Sequence, residues 1–221
     1  DAHQYIQQTF DKVAVAALTQ EHTSMKDSAH CWIYVEQTQD ALQQIATVYR
    51  NQFQVPVVGV TGSVGKTSTR EMIALALSAE KNVMQTKGNS NSQIGLPLTM
   101  FQFEEEHTAA VIEMGISEFG EMKRLVHIAQ PNYAVVTNIG IAHIEQLKTR
   151  EHIMHEKLKI ADAFDEYSIM FLNGDDEMLA SICETTTLPV VYYGTQPWCT
   201  YRAEDIQTDG MKTTFTVHTP T

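Results

Sequence analysis

From position 55 onward the chain alternates short apolar runs with stretches whose apolar residues recur at helical spacing. The runs at 55–60, 109–112, 133–137, 169–172 and 189–193 are rich in Val, Ile, Leu and Tyr, which predicts buried strands. Between them, 67–79, 118–129, 150–164 and 176–184 read as helices. In the first of these, Met72, Ile73, Leu75, Ala76 and Leu77 follow a glycine-rich turn. Strand and helix in alternation predict an α/β fold, a mostly parallel sheet with crossover helices. Asp209-Gly210, between extended runs at 200–206 and 213–218, predicts a closing hairpin.

Residues 1–53 do not keep that rhythm. A helix over 2–10, strands at 13–18 and 31–35, and a helix capped by Thr38 with Ala41, Leu42, Ile45, Val48 and Tyr49 on one face are expected. So few strands make a marginal core. The expected organisation is a small α/β remnant of an N-terminal domain at 1–53 and a central domain at 54–221, with Thr219-Pro220-Thr221 reading as a linker.

An apolar fraction of 43% in 221 residues supports a real core. A formal charge of −12 argues against broad nucleic-acid binding, which asks for a basic patch. The longest apolar runs are too short for a membrane-spanning helix, and no secretory leader is read at the start. Cys31, Cys183 and Cys199 form no C-x-x-C pair, so a reducing cytoplasm is the expected setting.

An acidic chain that binds an anion must concentrate positive potential locally, and one stretch does so. The run 55–60 leads into Thr61-Gly62-Ser63-Val64-Gly65-Lys66-Thr67-Ser68 and then a helix. Glycines let main-chain N–H groups turn inward, the helix start adds partial positive charge, and Lys66 adds a full one. Thr67 offers the hydroxyl that a phosphate-bound Mg2+ takes at this position. The general G-x-x-x-x-G-K-[ST] pattern is not fully met, because Val60 stands where its first glycine would fall.

Ligands in such sheets bind at the carboxyl ends of the strands, so the polar groups there are the next candidates. Glu113, heading Glu113-Met114-Gly115, could hold Mg2+ or could pair with a surface cation. His143 closes Asn138-Ile139-Gly140-Ile141-Ala142-His143 and reads as a metal or phosphate contact, or as a surface residue. The polar loop from Lys87 to Pro97, with Asn89 and Asn91, suits a sugar or diphosphate. Asn173-Gly174-Asp175-Asp176 reads as a nucleotide contact or as a turn into a capped helix. His152 and His155 lack the H-E-x-x-H pattern and are read as helix surface.

Together these stretches resemble the Mur ligase superfamily, ATP-dependent amide-forming ligases of peptidoglycan assembly. The likeness covers most of 55–221 and includes the shortened glycine spacing of the loop. The Lys87–Pro97, Glu113–Gly115 and Thr137–His143 stretches are similar to the branch that adds D-alanyl-D-alanine to a UDP-N-acetylmuramoyl-tripeptide, with Ala142 where many other branches carry Asp. Asp1-Ala2-His3 and the residues from Phe10 to Leu18 resemble the tail of that branch's uridine-nucleotide-binding domain.

The resemblance implies a P-loop NTPase-like central domain and specific roles. Thr61 to Ser68 would hold the ATP phosphates. Thr67 and Glu113 would hold a first Mg2+, and Glu113 with His143 a second. Lys157 aligns with a lysine that the family carbamylates to bridge metals. Asn89 and Asn91 would face the muramoyl substrate, and Asn173 and Asp176 the adenosine. The expected protein is a monomer, and the expected chemistry runs through an acyl phosphate. The family's C-terminal ligase domain is not read in this stretch, so the chain is expected to be a fragment that does not turn over by itself. A sister ligase of the folylpolyglutamate- or cyanophycin-synthetase kind and a non-catalytic nucleotide-binding module stay open. An ordinary P-loop kinase or GTPase is disfavoured, a guanine-reading N-K-x-D stretch being absent.

Overall fold

The computed structural model describes residues 2–20 and 29–220. Asp1 of the Asp1-Ala2-His3 stretch and Thr221 of the expected linker lie outside the described residues. The chain forms two compact units, Asp1–Ile45 and Ala46–Thr221.

In the first unit a 3-10 turn, Ala2–Tyr5, leads into helix α1 (Ile6–Phe10). Strands β1 (Ala16–Thr19) and β2 (Cys31–Tyr34) pair in parallel. Phe10 stacks on His30 and meets Trp32 edge-on, which gives this unit a small aromatic centre. Helix α2 (Thr38–Arg50) runs across the division into the second unit.

The second unit is a sheet of eight strands in the order β10-β9-β8-β7-β6-β3-β5-β4. These are β3 (Val57–Thr61), β4 (Val83–Gln85), β5 (Ala109–Glu113), β6 (Tyr133–Val136), β7 (Ile169–Asn173), β8 (Val190–Gly194), β9 (Tyr201–Asp209) and β10 (Lys212–His218). All neighbours are parallel except the β9–β10 hairpin, which turns at Gly210 with φ +58°. The sheet is therefore mostly parallel with crossover helices, as the alternating pattern predicts. The helices are α3 (Lys66–Leu77), α4 (Gly95–Met100), α5 (Glu121–Ala129), α6 (Ile144–Leu147), α7 (Arg150–Leu158) and α8 (Glu177–Ala180).

Both faces of the central strands are covered, so β5 is buried along its whole length. One face carries the large core, in which Leu96, Ile112, Leu125 and Ile153 meet. Ala74 on α3 packs against Val60, Val111 and Val135 on the other.

Several boundaries differ from the sequence expectation. The strand expected at 55–60 is β3, Val57–Thr61: Pro56 has no N–H for a ladder, and pairing begins where Asn132 Oδ1 accepts from Val57 N at 3.0 Å. The helix expected from 118 starts at Glu121, after Gly120 turns at φ +80°. The helix expected at 150–164 ends at Leu158 and tightens into a 3-10 turn, Lys159–Ala161. The helix expected at 176–184 is only Glu177–Ala180. Strand β4 was not expected, since three residues give too little alternation to read.

Chain order leaves β3 toward β4 on one side and returns to β6 on the other. The carboxyl ends of β3, β5 and β6 thus flank the point where the winding reverses, the place where such sheets bind ligands.

Candidate functional site

The loop after β3 is built so that its amides stay free of side-chain bulk. Gly62 has φ +145°, and a Cβ there would lie 1.9 Å from Thr137 Oγ1. Gly65 caps α3 in the left-handed region at φ +80°, with nothing within 4 Å of where a Cβ would stand. Only glycine takes both positions without strain. The loop is tied to the segment after β6. Ser63 N donates to Asn138 O at 3.0 Å and Val64 N to Asn138 Oδ1 at 3.1 Å. Thr137 Oγ1 donates to Val64 O at 2.6 Å, and Gly140 N to Ser63 Oγ at 2.8 Å.

Lys66 opens α3 and folds back over the loop, its Nζ 3.0 Å from Gly62 O and 3.4 Å from Ser63 O. At the next residue, Thr67 Oγ1 donates to Glu113 Oε2 at 2.9 Å. Glu113 ends β5 and is nearly fully buried. Its Oε1 accepts from Asn91 Nδ2 at 2.7 Å, and Asn91 also donates to Asn89 Oδ1 at 2.8 Å. Thus the polar loop after β4 leans directly on the carboxylate.

Lys157 is buried on α7, its Nζ 3.1 Å from Gly62 O. Burial, helped by the Lys66 ammonium, lowers its pKa to about 7. His143 caps α6 in the left-handed region at φ 62° and is exposed.

These groups share one cavity of about 480 Å³, lined by 62–68 of the loop together with Asn89, Asn91, Glu113, His143 and Lys157. Loop amides and two lysines surround a single carboxylate, so the cavity favours an anion such as a phosphate chain. Thr67 and Glu113 bring two hard oxygens together, which fits Mg2+ completed by phosphate oxygens. The second expected position does not fit Mg2+ while Lys157 is an amine, since an ammonium repels the ion and a neutral amine offers nitrogen to an ion that takes oxygen ligands. Converted to a carbamate, the same side chain would present oxygens. Among the described residues, no group of three or more His, Cys, Asp or Glu forms a metal cluster.

Three sequence-expected residues stand outside the cavity lining. Thr61 is buried and donates to Met114 O at 2.8 Å. Asn173 Nδ2 donates to Thr137 O at 3.0 Å. Asp176 caps α8, accepting from Met178 N and Leu179 N at 3.0 Å, and its other oxygen accepts from Ile139 N at 2.9 Å. Both therefore brace the segment after β6. His152 and His155 are exposed on α7. Ser92, in the expected Lys87–Pro97 loop, lines the cavity, and so does Ser117, which was not expected because an isolated serine in a polar loop gives no signal. Arg70, buried against Glu113, was also missed.

Residues 60–221 match the family model described as the Mur ligase middle domain. The UDP-N-acetylmuramoyl-tripeptide–D-alanyl-D-alanine ligase of Bacillus subtilis (strain 168) is 37% identical over 219 residues, covering 98% of this chain and 47% of the relative. The fold is similar to MurF from Acinetobacter baumannii, with a TM-score of 0.90 at 28% identity over 100% of this chain and 48% of that one. It is also similar to MurF ligase from Thermotoga maritima in complex with ADP, with a TM-score of 0.88 at 30% identity over 99% of this chain and 50% of that one. The chain spans about half the length of these relatives.

Proposed function

The chain belongs to the Mur ligase family, and on that premise we propose that it supplies the ATP site of a ligase joining D-alanyl-D-alanine to a UDP-N-acetylmuramoyl-tripeptide. The reading is carried by the convergence of the glycine loop, Glu113, His143 and Lys157 on one cavity. Relatives named for that activity, and one solved in complex with ADP, support it.

In this proposal Lys66 and the amides at the start of α3 grip the ATP phosphates, those of Ser63 and Val64 being taken by Asn138, while Asn89 and Asn91 orient the muramoyl peptide. Asn173 and Asp176 serve the adenosine end through the segment they brace. Thr67 and Glu113 would hold one Mg2+, and Glu113 and His143 would hold a second once Lys157 is carbamylated. When bound, these ions neutralise the anionic oxygens that the first step brings together. The substrate carboxylate attacks the γ-phosphorus, an O–P bond forms, the β,γ-bridging bond breaks, and ADP leaves with its electron pair. The dipeptide amine then attacks the acyl carbon, phosphate departs, and the nitrogen gives up a proton. Side chains of this chain bind and orient rather than form covalent bonds.

Every group named lies within the second unit of one chain, so a monomer would carry the whole constellation. Among the described residues no helix is long and apolar enough to cross a membrane. A cytoplasmic setting, where ATP and nucleotide-linked precursors are available, suits the reaction.

The test is ADP release by the full-length protein. UDP-N-acetylmuramoyl-tripeptide with D-alanyl-D-alanine should support turnover, and folate with glutamate should not. Turnover with the second pair alone would move the protein to a sister ligase. No turnover with either would favour a binding module.

A further inference from the structure

Glu113 has a second partner beside Thr67 on the same oxygen. Arg70 Nη1, on α3, lies 3.3 Å from Glu113 Oε2, with both side chains almost fully buried. The same nitrogen donates to Gly88 O at 3.0 Å, and Nη2 pairs with Glu71. The carboxylate does not need Arg70 for its orientation, because Asn91 holds Oε1 at 2.7 Å and Thr67 holds Oε2 at 2.9 Å. What Arg70 alone contributes is a positive charge, out of water, against the oxygen that faces Thr67.

A divalent ion seated on Glu113 and Thr67 would stand next to that guanidinium, with Lys66 and Lys157 lining the same cavity. Like charges so close, with little water between, repel strongly. Glu113 cannot offset the Lys66 ammonium, the Arg70 guanidinium and the ion together, and Glu71, the other partner of Arg70, is half-exposed to water. A triphosphate, arriving with several negative charges, reverses the balance.

We propose that Arg70 is a resident counter-ion for Glu113, a positioning residue that keeps a divalent cation off this carboxylate until a nucleotide brings its own charge. The inference rests on the reading of the cavity as a Mg2+-nucleotide site. It assigns to Arg70 an effect on the order of binding, ion with nucleotide rather than ion first.

The experiment compares wild type, Arg70→Gln and Arg70→Lys in the full chain without nucleotide, using Mn2+ as the probe and electron paramagnetic resonance to follow it. Wild type and Arg70→Lys should bind free Mn2+ weakly. Arg70→Gln should bind it at least about tenfold more tightly, since a neighbouring charge has gone while Asn91 and Thr67 still orient the acid. The melting temperature of Arg70→Gln should rise with Mg2+ alone, while that of wild type should not. Structural damage would weaken ion binding, so a gain reports the charge. Tight Mn2+ binding by wild type overturns the inference even if Arg70→Gln does not fold. So does a folded Arg70→Gln that binds no tighter, provided wild type binds Mg2+-ATP. Wild type that fails to bind Mg2+-ATP overturns the site reading and this inference with it.

Discussion

The ammonium groups of Lys66 and Lys157 converge on one acceptor, the carbonyl oxygen of Gly62, at 3.0 and 3.1 Å. Two cations share an oxygen that has no full charge to offer, and Lys157 is the buried one. Its pKa near 7 is the consequence, through desolvation first and repulsion from Lys66 second. At neutral pH a large fraction of Lys157 is a free amine, the form that can react with carbon dioxide.

Stability should carry the mark of that pKa. The unfolded lysine titrates near 10.5 and the folded one near 7, so between these values the unfolded chain holds more protons. Stability attributable to Lys157 is therefore lowest below pH 7 and recovers as pH rises toward 10.5. Replacing Lys157 with Met should stabilise the protein at pH 6, and the gain should fade by pH 10, as followed by urea denaturation across that range.

The two loop glycines should respond differently to alanine. At Gly65 only the left-handed backbone resists, so the cost should be about 1–2 kcal/mol. At Gly62 the added Cβ also meets Thr137 Oγ1, and the cost should reach about 3 kcal/mol or more. Urea midpoints of the two variants decide the order.

Glu113→Gln keeps the shape of the side chain and removes its charge. Arg70 then loses its buried partner, which should destabilise the fold by about 3–5 kcal/mol, less whatever Gly88 O and Glu71 return. Nucleotide should still bind, but Mg2+ should no longer tighten it. Calorimetric titration with and without the ion separates the two effects.

Asp176→Ala removes the cap of α8 and the acceptor for Ile139 N together. A loss of about 1–2 kcal/mol is expected from the cap. Nucleotide affinity should also fall, because the segment after β6 holds the phosphate loop through Asn138 and Gly140. Thermal melts and a nucleotide titration on the same variant check both.

Much of the fold was legible because β3, β5, β6 and β7 are apolar runs with short helical stretches between them. Lys66 and Thr67 were legible from the spacing of Gly62 and Gly65, and Glu113 and His143 from their places after strands. Lys157 was legible only through resemblance: it lies in Glu156-Lys157-Leu158-Lys159, where nothing local says that one lysine is buried and the next half-exposed. Arg70 was invisible for a related reason. Its partner Glu113 is 43 residues away on another element, and an arginine on a helix ordinarily faces water. Asp176 offered two readings, and the structure records the turn into a capped helix, a local pattern the sequence does carry.

The central claim is that this cavity grips a triphosphate through the loop and Lys66. Calorimetric titration of ATP with Mg2+ into wild type and Lys66→Ala tests it most directly. Among the described residues Lys66 Nζ donates only to the loop carbonyls of Gly62 and Ser63, so the variant should keep its melting temperature. Wild type should bind, and the folded variant should bind at least about tenfold more weakly, the loss of one charge-assisted phosphate contact. Equal affinity in both, or no binding by wild type, would contradict the account.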